Sequence, residues 1–188
     1  MKTIVLASGN KGKLKEIREM LPDYEVVSCA ELGFTEDIEE TGKTFFENAM
    51  IKAKTVAEKL NRPTLADDSG LCVEALNGAP GIFSARYSKD GTDEGNCALL
   101  LKNLKNETNR KAKFVCQMIL YYPNGEYISA VGETYGVITE EKFGNNGFGY
   151  DPIFLSTDLN KPFGLCSAEE KNSVSHRFRA LTELKSKL

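Results

Sequence analysis

The sequence predicts an α/β protein built on a mixed β-sheet. Three observations lead there. Apolar strand-like runs alternate with amphipathic helical stretches, a long hairpin interrupts the alternation near the middle, and 188 residues suffice for one domain with a substantial core. A purely parallel sheet does not accommodate that hairpin, so the sheet is expected to be mixed. The chain is 41% hydrophobic and 27% charged, ordinary for a globular protein. A net charge of −3 gives no general basic footprint, so nucleic acid is not an expected partner. No apolar stretch approaches the ~18 residues of a membrane span, and the N-terminus enters a strand-like run with no signal peptide. Five scattered cysteines without a C-x-x-C pair argue against a disulfide framework or a zinc site and favour the cytoplasm.

Taken in order, residues 3–8 read as a buried strand, and Leu14, Ile17 and Leu21 give a helical stripe that Pro22 stops. "YEVVSC" is a second strand, followed by the acidic connection "ELGFTEDIEETG". In "TFFENAMIKAKTVAEKL", Thr44 and Glu47 form a capping box, and Phe45, Ala49, Ala53, Val56 and Leu60 share one face before Arg62-Pro63. "PTLADDSGLCVEAL" reads as strand, turn, strand, and "GTDEGNCALLLKNLKN" as a helix. Two long strands meet at Pro-Asn-Gly in "KAKFVCQMILYYPNGEYISAVGETYGVIT". A glycine-rich loop, "EEKFGNNGFGYDP", leads to the short strand "IFL". Ser167 and Glu170 make a second capping box, and Phe178, Leu181, Leu184 and Leu188 mark the closing helix.

Five stretches have the chemistry for a site. "SGNKGK" fails the P-loop pattern at Ala7 and Leu14, yet a strand–helix turn rich in N–H groups, with Ser8, Asn10 and Lys13 beside it, suits phosphate oxygens; a plain turn with Asn10 as N-cap is the bland alternative. Magnesium takes carboxylates, substrate phosphates and water, so Glu39 or Glu40 meeting Asp67 or Asp68 is a candidate pair. Adjacent strand residues point to opposite faces, so one of the two aspartates is expected to reach a cleft. "EDIEE" reads equally as a solvated run and "DSG" as an Asx-type turn. Lys52 sits at the edge of an apolar stripe, where snorkelling to water is the simpler expectation. In "FGNNGFGYDP", Phe148 and Tyr150 offer stacking faces, glycines permit close approach, and Asp151 can read an edge; Phe148 plugging a core is the plain reading. In "NSVSHRFRAL", Ser173 or Ser175 is an N-cap that places His176 and Arg177 in a first helical turn, against the helix dipole.

Together and in this order, "SGNKGKLKEI", "EETGKTFFENAMIKA", "ADDSGL", "GAPGIFSARY", "GFGYDPIF" and "EEKNSVSHRFRAL" resemble the noncanonical purine NTP pyrophosphatase family, also called the inosine triphosphate pyrophosphatase (ITPase-like) family. The likeness runs from residue 8 to about residue 181, and Ser8 stands where many members have threonine. It implies one domain over residues 1–188: an elongated mixed sheet flanked by helices, with two lobes and a central nucleotide cleft. It also implies a homodimer and a Mg²⁺ cofactor. By resemblance, Ser8, Gly9, Asn10, Lys11, Gly12 and Lys13 hold the triphosphate and Lys52 assists. Asp68 is implied as the catalytic residue and a metal ligand, Glu39 as the second ligand with Glu40 its rival, and Ser69 as a substrate contact. Phe148, Gly149, Tyr150 and Asp151 would cradle the base, and Lys171, His176 and Arg177 its edge, while Ser84, Arg86 and Tyr87 would only shape the cleft. The reaction implied is NTP + H₂O → NMP + pyrophosphate on ITP, dITP or XTP. A degenerate P-loop phosphotransferase, a non-catalytic nucleotide-binding regulator and a pyrophosphatase for other modified nucleotides are the competing readings.

Overall fold

The computed structural model describes residues 2–188. Its sheet has seven strands among the described residues, in the order β2-β1-β3-β4-β5-β6-β7. These are β1 (Lys2–Leu6), β2 (Tyr24–Ser28), β3 (Thr64–Val73), β4 (Lys111–Tyr121), β5 (Tyr127–Ile138), β6 (Phe154–Ser156) and β7 (Lys161–Pro162). Strand β1 pairs in parallel with β2 and β3, whereas β5, β6 and β7 pair antiparallel, so the sheet is mixed as expected. Among the described residues five α-helices accompany it: α1 (Lys11–Met20), α2 (Phe45–Leu60), α3 (Asp93–Asn103), α4 (Ala168–Val174) and α5 (His176–Lys185).

The chain divides into two compact units. The first holds the described residues up to Asp68, with Cys116–Val131 and Ala180–Leu188. Strand alternation gives this unit two cores. Ile4, Leu6, Leu65 and Met118 pack with Ile17 of α1, with Leu21 that caps it, and with Leu181 and Leu184 of α5. Val5, Ala7, Ala66 and Ile119 pack instead with Ala49, Ala53, Val56 and Ala57 of α2. Helix α2 begins where its capping residues place it: Thr44 Oγ1 accepts from Glu47 N–H at 3.1 Å, a cap worth ~1 kcal/mol. Asn61, at φ +51°, ends it just before Pro63. The hairpin turns at Pro123-Asn124-Gly125, with Gly125 at φ +92° donating to Tyr122 O.

The second unit holds Ser69–Val115 and Gly132–Arg179. Its core joins Leu71 and Val73 of β3, Leu100 of α3 with Leu104 that caps it, and an aromatic group of Phe114, Phe154 and Phe163. Phe114 and Phe154 approach to 4.6 Å between ring centroids, Phe154 and Phe163 to 5.1 Å.

The structure corrects the expected elements in two places. "ADDSGL" contains no turn: β3 runs unbroken for ten residues through Asp67, Asp68 and Ser69. An Asx turn needs an aspartate to bond its own backbone, and here both carboxylates are engaged by side chains from elsewhere in the chain. The closing helix is two helices. The capping box of Ser167 and Glu170 starts α4, and Ser175, extended at φ −66°, ψ 154°, ends it. The Ser175 hydroxyl then accepts from Phe178 N–H at 3.1 Å and starts α5. Phe178 and Leu188, expected on the apolar stripe, are exposed at 38% and 50%.

Candidate functional site

In the first unit, β1 delivers the chain to a turn over Ala7–Asn10, and Asn10 caps α1 by accepting from Lys13 N–H at 3.1 Å. Asn10 N–H in turn donates to Ser8 Oγ at 3.2 Å. Helix geometry leaves the N–H groups of Lys11 and Gly12 without an intrahelical acceptor. A depression of about 570 Å³ borders the turn, lined by Ser8, Gly9, Asn10 and Lys11 among others. The plain reading of the turn holds, with the Asn10 side chain as N-cap, and a helix N-terminus of this kind is also suited to an anion.

Beside it lies β3. Asp67 and Asp68 are both buried, 2% and 6% exposed, and alternation sends them to opposite faces. Asp67 Oδ2 takes Lys13 Nζ of α1 at 3.0 Å. On the other face Asp68 Oδ2 accepts from Asn48 Nδ2 at 3.2 Å, and Asp68 Oδ1 lies 3.7 Å from Lys52 Nζ, both partners on α2. Lys52 Nζ also contacts Glu40 Oε1 at 3.2 Å, so one ammonium bridges two carboxylates. Lys52 therefore does not snorkel to water; its side chain is 12% exposed. Burial pushes the Asp68 carboxyl above its ordinary value of 3.8, with Lys52 opposing the rise and Glu40 adding to it.

Of the two candidate metal partners, Glu40 joins this cluster, while Glu39 is exposed. Among the described residues no group of three or more His, Cys, Asp or Glu converges as a metal cage. A carboxylate pair with a cation already between its oxygens is nevertheless a donor set that fits Mg²⁺, which completes its shell with phosphate and water.

Asn48 is the residue the sequence did not disclose. It is fully buried, and besides holding Asp68 it accepts from Gly42 N–H at 2.8 Å. Its signal was an amide one position from the apolar stripe and four before Lys52, hence on the same helical face.

The second unit gathers Phe148, Asp151, Lys171 and Arg177, with His176 beside them. Asp151, 3% exposed, accepts from Phe148 N–H at 3.0 Å and from Lys171 Nζ at 2.7 Å through the same Oδ2 atom. Lys171 Nζ lies 4.6 Å from the Phe148 ring centroid and Arg177 Cζ 5.8 Å, so two buried cations share one aromatic ring. His176 stacks on Phe114 at 5.0 Å, with its ring nearly parallel. Gly147, at φ +75°, leaves room for Asp151, since a Cβ there would sit 2.0 Å from Oδ2. Gly149 is anchored through its N–H to Asp93 Oδ2 at 2.7 Å.

Tyr150 has a different place from the one expected of a stacking residue. It is 5% exposed and its hydroxyl donates to Ser84 O at 2.6 Å, bracing the loop from the core. Ser84 Oγ accepts from Leu71 N–H at 2.9 Å and so ties the "GIFSARY" turn to β3. Ser69 is half-buried just after Asp68.

The Ham1 family profile matches residues 4–187. A dITP/XTP pyrophosphatase of Staphylococcus aureus is 46% identical over 189 residues, covering 100% of this chain and 97% of that protein. Its namesake in Clostridium perfringens is 46% identical over 199 residues, covering 100% and 98%. Among solved structures, the Staphylococcus aureus Ham1 protein superposes with a TM-score of 0.90 at 46% identity, covering 98% of this chain and 97% of that one. A HAM1 protein from Coxiella burnetii gives 0.91 at 42% identity, covering 99% and 98%. With a profile that spans nearly the whole sequence and relatives this similar over their full length, the chain belongs to the Ham1 family.

Proposed function

We propose that this protein hydrolyses deaminated purine nucleoside triphosphates (dITP, ITP and XTP) to the monophosphate and pyrophosphate; relatives named dITP/XTP pyrophosphatase support the reading for dITP and XTP. The observation that carries the reading is the first unit's cluster: a buried Asp68, held by Asn48, next to Lys52 and Glu40, with Lys13 at the turn into α1. Phosphoryl transfer is catalysed chiefly by positioning and charge neutralisation, and this cluster supplies both. Lys13, Lys52 and the N–H groups that open α1 bind the phosphates and take up charge as pyrophosphate leaves. Asp68, its carboxyl raised by burial, is the proton acceptor for the attacking water. Mg²⁺ held by Asp68 and Glu40, with Glu39 as the outer alternative, would neutralise phosphate charge and polarise water.

The second unit supplies base recognition. Phe148 offers a stacking face, and Lys171 and Arg177 are donors suited to the acceptor oxygen that hypoxanthine and xanthine carry at C6. Adenine carries an amino donor there, which leaves a buried group unpaired, a mismatch of roughly 10⁴–10⁵-fold in sites of this kind. A homodimer is part of this reading, as is a cytoplasmic location, which five scattered cysteines without a C-x-x-C pair support. Among the described residues no helix is long and apolar enough to cross a membrane.

The test is a product assay with dITP, XTP, GTP and ATP, with and without Mg²⁺, on the native protein and Asp68→Asn. Monophosphate plus pyrophosphate from dITP, lost in the variant, is the expected result. Orthophosphate from ATP would point to the phosphotransferase reading, and binding without turnover to a regulator.

A further inference from the structure

We propose that Asp67 is the positioning residue for Lys13, a role separate from that of its neighbour Asp68; this rests on the pyrophosphatase reading. The two aspartates are adjacent, yet they face different helices. Asp67 shares its side of β3 with Leu65 and faces α1, where its carboxylate meets Lys13 Nζ at 3.0 Å. Asp68 shares its side with Ala66 and faces α2.

Lys13 is the third residue of α1 and is held at two points. Asn10 fixes its backbone N–H at 3.1 Å, and Asp67 fixes its ammonium. A lysine side chain carries about 2 kcal/mol of rotamer entropy, so an ammonium already held on a buried carboxylate meets a phosphate at less ordering cost. A cation in a first helical turn also opposes the helix dipole, and Asp67 offsets that opposition. Stability alone is a weak reason to keep the pair, because an apolar pair of similar volume is commonly as stable as a buried ion pair. Asp67 Oδ2 meets the Lys13 ammonium and also accepts from the Cys116 thiol at 3.9 Å.

A double-mutant cycle tests this, with kcat and KM for dITP measured on the native protein, Asp67→Asn, Lys13→Met and the double variant, and thermal unfolding alongside. Asp67→Asn is expected to lower kcat about 30-fold with KM within threefold, which is a loss of orientation rather than of binding. In the Lys13→Met background the same substitution is expected to change kcat/KM by less than threefold and to raise the unfolding temperature, since it removes a carboxylate left buried without its lysine. Losses that multiply across the two sites would overturn the proposal, as would native kcat in Asp67→Asn. Should Asp67→Asn fail to fold alone, Lys13→Met and the double variant decide the matter: equal kcat/KM upholds the proposal and a further tenfold loss overturns it. Absence of dITP turnover in the native protein would remove the pyrophosphatase reading itself, a result distinct from multiplying losses in an active enzyme.

Discussion

Replacing Gly147 by alanine asks how much the Asp151–Lys171 pair contributes to substrate recognition. Two costs follow from the geometry. The backbone stands at φ +75°, where an L-residue pays about 1–2 kcal/mol. The added Cβ would lie 2.0 Å from Asp151 Oδ2, the atom that receives both Phe148 N–H and Lys171 Nζ. To reach an ordinary van der Waals contact that oxygen must recede by roughly 1 Å or more, which breaks the 2.7 Å contact to Lys171. A hydrogen bond to a charged group is worth about 1.5–3 kcal/mol, so the two costs together come to roughly 2.5–5 kcal/mol. We expect kcat/KM for dITP to fall between ~60- and ~4,000-fold, since each 1.4 kcal/mol is a factor of ten.

Gly149→Ala is the control. Its φ is +62°, but nothing lies within 4 Å of the added Cβ, so only the backbone cost applies and the fall is about tenfold. Affinity for inorganic triphosphate, read by calorimetry, should be unchanged in both variants, because Lys13 and Lys52 belong to the first unit. Equal kcat/KM for the two variants, or a Gly147→Ala enzyme within threefold of native, would refute the role given to Asp151.

Two further outcomes follow from the first unit. Burial raises the folded-state pKa of Asp68 above its ordinary 3.8, so the folded protein binds the extra proton and stability declines as pH rises through that window. Asp68→Asn should therefore unfold at a higher temperature than native protein at pH 7 and at a similar one below pH ~3.8, while losing at least ~10²-fold in kcat; an Asn variant no more stable at pH 7 would contradict the burial argument. Lys52→Met removes the ammonium lying 3.2 Å from Glu40 and 3.7 Å from Asp68. At an effective dielectric near 20 a unit pair at 4 Å gains about 4 kcal/mol, and a third of that is about tenfold. Mn²⁺ should accordingly bind the nucleotide-free variant about tenfold more tightly than native protein, and unchanged affinity would remove Glu40 and Asp68 as a metal pair.

Elements whose cause is local were legible in the sequence. Helix α2 follows from its Thr44 cap and apolar stripe, and the β4–β5 hairpin from Pro-Asn-Gly. What was obscure depended on distant partners. "DDSG" carries turn chemistry, and side chains distant in sequence, Lys13 of α1 with Asn48 and Lys52 of α2, engage its carboxylates on a strand instead. Lys52 resembled a snorkelling side chain because nothing nearby in sequence announces that β3 brings Asp68 beneath it. Tyr150 carried no mark of burial, since the carbonyl that receives its hydroxyl belongs to Ser84. The start of α5 was legible in Ser175, one of the two expected N-caps, whereas the end of α4 at the same residue carries neither glycine nor proline to announce it. The cluster of Asp151, Lys171, His176 and Arg177 was anticipated as a set of recognition residues, but the sharing of Phe148 by two cations required coordinates.

The opposed facing of Asp67 and Asp68 also bears on how the chain finds its fold. Side chains in a strand have a period of two, so a one-residue slip of β3 exchanges its faces. Such a slip would set Asp67 among the alanines of α2, where Ala66 now packs, and would part each carboxylate from its lysine. Burying an unpartnered charge costs several kcal/mol, more than the loss of an apolar contact. The paired aspartates thus act as a key to strand registration: a misaligned sheet is penalised at the same residues on which turnover would depend.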